Sequence, residues 1–107
     1  MQKIKTMEKI ETTSRCASDY VRKRKPFTNS NNQLYGEWVT PDTYAVFSYG
    51  PHWPLYICRK NVWFANSDKR SVTTTRHSSY AYPHKRTFGR SCQWMLDAVK
   101  SAREEQE

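Results

Sequence analysis

The sequence predicts a small α+β domain, an antiparallel sheet of three or four strands with a C-terminal helix packed on one face. Three observations lead there. Two apolar runs, Leu55–Arg59 and Val62–Asn66, flank the dipeptide Lys60-Asn61, which suits a two-residue hairpin because Asn accepts a positive φ. From Ser91 onward, Cys92, Met95, Leu96, Val99 and Ala102 recur on one helical stripe. Between Leu34 and Pro54, Gly and Pro break the chain into short aromatic segments of strand character. The 107 residues fit one domain.

Taken in order, residues 1–33 read as a basic, largely flexible arm, and residues 34–107 as the α+β domain. Met1–Ser14 alternates charged and single apolar residues. Cys16–Arg24 allows a short helix capped by Ser18 or Asp19, weakened by four adjacent cations, Arg22, Lys23, Arg24 and Lys25. Pro26–Gln33 has linker composition, since Asn and Ser side chains compete for backbone hydrogen bonds. Leu34–Val39 is the first strand. Thr40-Pro41-Asp42-Thr43 is a turn. Tyr44–Tyr49 is the second strand, with Tyr44, Val46 and Ser48 on one face and Ala45, Phe47 and Tyr49 on the other.

Gly50-Pro51-His52-Trp53-Pro54 breaks the sheet and stiffens a loop that presents His52 and Trp53. In the hairpin that follows, Cys58 faces Trp63, Ile57 faces Phe64 and Tyr56 faces Ala65. Leu55, Ile57, Val62 and Phe64 share one face; Tyr56, Cys58, Trp63 and Ala65 share the other. Both faces are apolar, so one covers the core and the other must be covered or used. Ser71–Thr75 suits either strand or helix. His77–Pro83 is expected to end in a loop, and Pro83–Gly89 to be a basic connection. Ser91 is the N-cap of the last helix, and Trp94 lies opposite its apolar stripe.

The net charge is +8, and from Arg59 to Arg90 eight Lys or Arg accompany a single acid, Asp68. Such a chain, 14% aromatic, favours a polyanionic partner, single-stranded nucleic acid before duplex. Lys69, Arg70, Arg76, Lys85, Arg86 and Arg90 are the candidate phosphate contacts, with Arg22–Lys25 as a basic arm. Trp53, Tyr56, Trp63, Tyr80 and Tyr82 are the candidate stacking rings. His52 and His77 complete the set. The expected site lies where Gly50–Pro54 meets Asp68–Tyr82.

Three cysteines without a CxxC pair argue against a disulfide framework and a structural zinc site. Cys58 and Cys92 sit in apolar runs as core thiols, and Cys16 is the more reactive position. His52, Cys58, His77 and His84 stand at irregular spacings of 6, 19 and 7, so neither a metal nor a cofactor is expected. No apolar window reaches a membrane span of roughly 18 residues, and the expected location is the cytoplasm. No catalytic residues are assigned; a metal-dependent nuclease using a histidine as base is the residual enzyme reading.

The segments Ser48-Tyr49-Gly50, His52, Pro54-Leu55, Trp63, Asn66-Ser67-Asp68-Lys69, Ser71, Thr73-Thr74, Arg76-His77 and Pro83 give the chain a further character. Over these roughly forty central residues, it resembles a group of short proteins of unknown function from bacteriophages and other mobile elements. The resemblance implies a phage setting, hence host cytoplasm, and offers no assigned catalytic residues to carry over. It brings in a second functional expectation, inhibition of a host protein or defence system, anti-CRISPR action included, by direct protein binding.

Overall fold

The structure is a computed structural model describing residues 10–29, 32–68 and 72–105. Seven strands form one mixed sheet: β1 (Ile10–Glu11), β2 (Phe27–Thr28), β3 (Leu34–Thr40), β4 (Thr43–Ser48), β5 (Pro54–Arg59), β6 (Val62–Asn66) and β7 (Thr87–Arg90). Three helices accompany them: α1 (Ala17–Arg22), α2 (Val72–Tyr80) and α3 (Cys92–Glu105). The α+β class holds, but the small all-antiparallel sheet of three or four strands does not. Spatial order equals chain order from β1 to β7. The central ladders β2 to β6 are antiparallel, whereas β1–β2 and β6–β7 are parallel.

The two parallel pairs explain the layers. Each needs a crossover, supplied by α1 at one edge and α2 at the other. Both crossovers start from strands pointing the same way and step in the same direction across the sheet. Right-handed crossovers then place both helices on one face. Ala17 and Val21 of α1 and Ala81 just after α2 are indeed buried with Tyr44, Val46, Tyr56, Cys58 and Trp63. The opposite face is covered by α3, whose Met95 and Val99 pack on Ala45, Phe47 and Ile57. β4 is buried along its whole length between these layers.

The hairpin expectation is met in register: Tyr56 pairs with Ala65, Ile57 with Phe64 and Cys58 with Trp63. Lys60 and Asn61 take φ of 52° and 66°, the signature of the tight hairpin turn whose twist matches the strands. Leu55 departs from its expected face. Val46 pairs with Tyr56 and Phe47 with Pro54, so Leu55 is an extra residue in a bulge and joins the Tyr56 side.

The region expected to be a flexible arm is corrected for residues 10–29. They supply two strands and a helix, and Ala17, Val21 and Phe27 are fully buried. The helix begins at Ala17, without the side-chain cap expected from Ser18 or Asp19. The basic run is part of that helix's end. Arg24 N–H reaches the Val21 carbonyl and Lys25 N–H the Tyr20 carbonyl. Arg24 itself adopts φ 55°. This is a Schellman ending with arginine where glycine is usual. In the supposed linker, Asn29 is a buried hub. Its side-chain carbonyl accepts from Gln33 and Leu34 amides, and its amide donates to Ser14 Oγ.

Beyond β6, the ambiguous stretch is helical from Val72 to Tyr80, and the expected His77–Pro83 loop begins only after it. Part of the basic connection is β7, Thr87–Arg90. α3 starts as predicted: Ser91 Oγ accepts from the Trp94 amide at 3.1 Å. A carboxylate also arrives from the end of β6, with Asp68 accepting from the Cys92 amide at 2.9 Å. No described helix is long and apolar enough to cross a membrane.

Candidate nucleic-acid interface

The strand directions sort the cations. The link before β2, the β5–β6 turn and the link before β7 all open at one end of the sheet. Lys23, Arg24, Lys25, Arg59, Lys60, Lys85 and Arg86 are therefore gathered there from three separate places in the chain. Arg59 is neutralised locally by Glu105 and Asp42. Asp42 in turn keeps its carboxyl below the usual range, chiefly because Thr40 and Thr43 hydroxyls donate to it. Arg22 pairs with Asp19 at 3.2 Å. Arg24 Nη1 donates to Asn61 Oδ1 at 2.6 Å, tying the basic run to the hairpin turn.

From that end, an aromatic and cationic surface continues along the β7 edge. Tyr82 and His84, which meet edge to face with centroids 5.1 Å apart, lie instead on the crossover-helix side, where the Ser18 hydroxyl donates to the Tyr82 carbonyl at 2.6 Å. β7 extends the sheet past α3. In a strand, alternate residues share a face, so Phe88 and Arg90 project together beside Phe64, which pairs with Phe88. Phe64 lies 6.3 Å from Phe88 and 4.9 Å from Trp94 by ring centroid. The Arg86 guanidinium sits 5.4 Å from the Phe88 ring. Arg90 sits between Phe64 and Trp94, at 5.6 Å and 5.3 Å. Phe88 and Trp94 are each 40% exposed. Exposed rings with guanidinium groups against them combine stacking surface with charge.

Several predicted site residues are not at this surface. Tyr56 and Trp63 are 4% and 5% exposed, under the crossover helices. The Tyr56 hydroxyl donates to the Ser78 carbonyl at 2.7 Å. A base cannot stack on a ring whose faces are already packed. His77 is buried as well, with Nδ1 2.8 Å from Ser48 Oγ and its ring against Tyr49; burial lowers its pKa. Tyr80 is half-buried against the core. Arg76 is exposed on α2, which lies on the other face of the sheet from Phe64, Phe88 and Trp94. His52 is exposed and Trp53 half-buried, at the end of the sheet away from Lys23–Lys25, Lys60 and Lys85, where the His52 carbonyl lies 3.7 Å from Cys92 Sγ. Lys69 and Arg70 lie outside the described residues.

The Gly50–Pro54 and Asp68–Tyr82 segments do meet. Trp53, Asp68, Thr74 and Ser78 line a shared cavity of about 180 Å³, below the roughly 300 Å³ of ordinary ligand sites. What the residue reading missed is the packing of Phe64, Phe88, Arg90 and Trp94 into one cluster. The available signal was the two-residue spacing of Phe88 and Arg90, next to a tryptophan off its helix's apolar stripe. Comparison with protein-family models, with curated proteins and with solved structures gives no match.

Proposed function

We propose that the protein binds single-stranded nucleic acid, free or within a nucleoprotein, through the Phe88–Arg90–Trp94 surface at the β7 edge and the adjoining cationic end of the sheet. The setting is that of a bacteriophage, as the central motif suggests. The observation that carries the reading is the packing of Arg86 and Arg90 against exposed Phe88 and Trp94. Rings offer π-faces that tolerate any base, and the guanidinium groups supply phosphate contacts that depend on salt. The test is fluorescence anisotropy with single-stranded DNA and RNA oligonucleotides at several salt concentrations. Log affinity falls linearly with log salt, and the Arg86→Gln/Arg90→Gln variant binds more weakly. Absence of binding at about 50 mM salt overturns the reading.

One feature favours a second reading, direct inhibition of a host protein or defence system. Trp, Arg and an aromatic neighbour on an exposed patch have the composition of an interface hot spot. A partner captured from nuclease-treated lysate, and lost with Trp94→Ala, selects this reading; partners that vanish with nuclease treatment exclude it.

A further inference from the structure

A second cationic feature lies near the other edge of the sheet, beside β1 and α1. A cavity of about 380 Å³ is lined by Thr12, Cys16, Asp19, Tyr20, Lys23 and Lys25. Its volume falls within the roughly 300–1,000 Å³ of small-molecule sites.

The four-cation run divides at this cavity by alternate residues. The arginines are engaged in the fold: Arg22 pairs with Asp19, and Arg24 reaches Asn61 Oδ1 and Cys58 Sγ. The lysines, Lys23 and Lys25, both line the cavity. Their backbone is fixed from two sides. The Schellman amides hold it to α1, and the Arg24 and Lys25 carbonyls accept from the Trp38 indole and the Tyr44 hydroxyl. Two ammonium groups carried on a pinned turn need little further ordering to meet an anion together. The one acid in the lining, Asp19, already faces Arg22. Thr12 and Tyr20 add hydroxyl donors, and the Tyr20 ring is steadied by Phe27 at 6.1 Å.

We propose that this cavity binds a phosphoryl group, carried by a small phosphate ester or by the end of a nucleic-acid strand. Lysine is a compact point charge suited to phosphate when no bidentate geometry is imposed. The cavity shares Lys23 and Lys25 with the cationic end of the sheet, but it uses none of the β7-edge residues and does not depend on them.

The chain supplies its own reporter. Cys16 is exposed at the cavity, whereas Cys58 and Cys92 are buried, so N-ethylmaleimide modifies Cys16 first in the folded protein. Its alkylation rate is measured at constant ionic strength with pyrophosphate, adenosine monophosphate, and one oligonucleotide with and without a 5′-phosphate. A phosphoryl ligand slows the reaction several-fold. The protection disappears in Lys23→Gln/Lys25→Gln and persists in Arg86→Gln/Arg90→Gln. Protection by pyrophosphate or the monophosphate assigns the site to a small ester; protection only by the 5′-phosphorylated strand assigns it to a strand end. The proposal is overturned if no probe protects, if protection survives the double lysine substitution, or if the strand protects equally with and without its 5′-phosphate while neither small probe does. Loss of oligonucleotide binding at the β7 edge leaves the small-probe result unaffected, so the two readings fail separately.

Discussion

The phenolic hydroxyl of Tyr44, on the central strand, donates to the carbonyl of Lys25 at 2.7 Å. The Trp38 indole donates to the neighbouring Arg24 carbonyl at 2.9 Å. Two core rings therefore hold the backbone of the most basic segment, and Tyr44 is buried enough that its pKa rises. Tyr44→Phe leaves the Lys25 carbonyl without this donor. The expected cost is about 1–3 kcal/mol, read from urea unfolding, with faster amide exchange at Arg24 and Lys25.

Gly36 makes room for the same contact. A Cβ there would run into the Tyr44 hydroxyl and the Phe27 ring. Neither ring can yield without disturbing the core, so Gly36→Ala destabilises by about 1–3 kcal/mol, the usual range for overpacking. An unchanged urea midpoint would contradict this packing.

Stability should fall on mild acidification because of His77. Burial favours its neutral form, so its folded pKa lies below the ordinary value of about 6.5. Its contribution is complete above that value. As pH drops, the unfolded chain takes up the proton first, and the contribution is lost progressively towards the folded pKa. Urea midpoints at about pH 7.5 and 5.5 bracket the onset of this loss. His77→Gln, which does not titrate, should flatten the difference between them.

Asp68 caps α3 from the end of a different element. Asp68→Ala removes both the acceptor and a negative charge at a helix N-terminus, and should cost about 0.5–2 kcal/mol. Asp68→Asn retains an acceptor and should cost less. Thermal unfolding followed by circular dichroism separates the two.

Aromatic substitutions should divide by layer. Phe88→Ala and Trp94→Ala weaken oligonucleotide affinity, each by about 1–3 kcal/mol if a base stacks on that ring, with little change in the unfolding midpoint. Trp63→Ala does the reverse: it loses about 3–5 kcal/mol of stability, and the molecules that remain folded bind as before. Equal binding by Trp94→Ala and the parent protein would move the interface elsewhere.

The hairpin was legible because three local signals agree there: alternation, β-branched and aromatic content, and Asn61 at a positive φ. The β4 faces followed from the same alternation as far as Ser48; Tyr49, expected beside Phe47, leaves the strand at φ 63° and lies against His77. β1, β2 and β7 were not legible, since two to four residues carry no period. β7 also includes Gly89, and parallel pairing with β6 brings together residues far apart in sequence. The assignment of Tyr56 and Trp63 to a binding face failed for a related reason. Both hairpin faces are apolar, but the helices covering the second one lack a broad apolar stripe. α2 reads VTTTRHSSY, and among its residues with described side chains Thr74 and His77 are the buried ones. Such a helix buries polar groups with hydrogen bonds, which hydrophobic periodicity does not register. The Arg–aromatic edge was half visible: Trp94 stood off its stripe, while its neighbours Phe88 and Arg90 depended on β7 being a strand.

The strands lie across the sheet in the order in which the chain presents them. Every ladder joins two consecutive strands, so each pairing closes a short loop, and closure entropy grows only slowly even for the two crossovers. Assembly can proceed as a zipper from the central hairpins outwards, without any strand waiting for one from the far end of the chain. A sheet of seven strands is thereby built without any pairing between strands that are not consecutive in the chain.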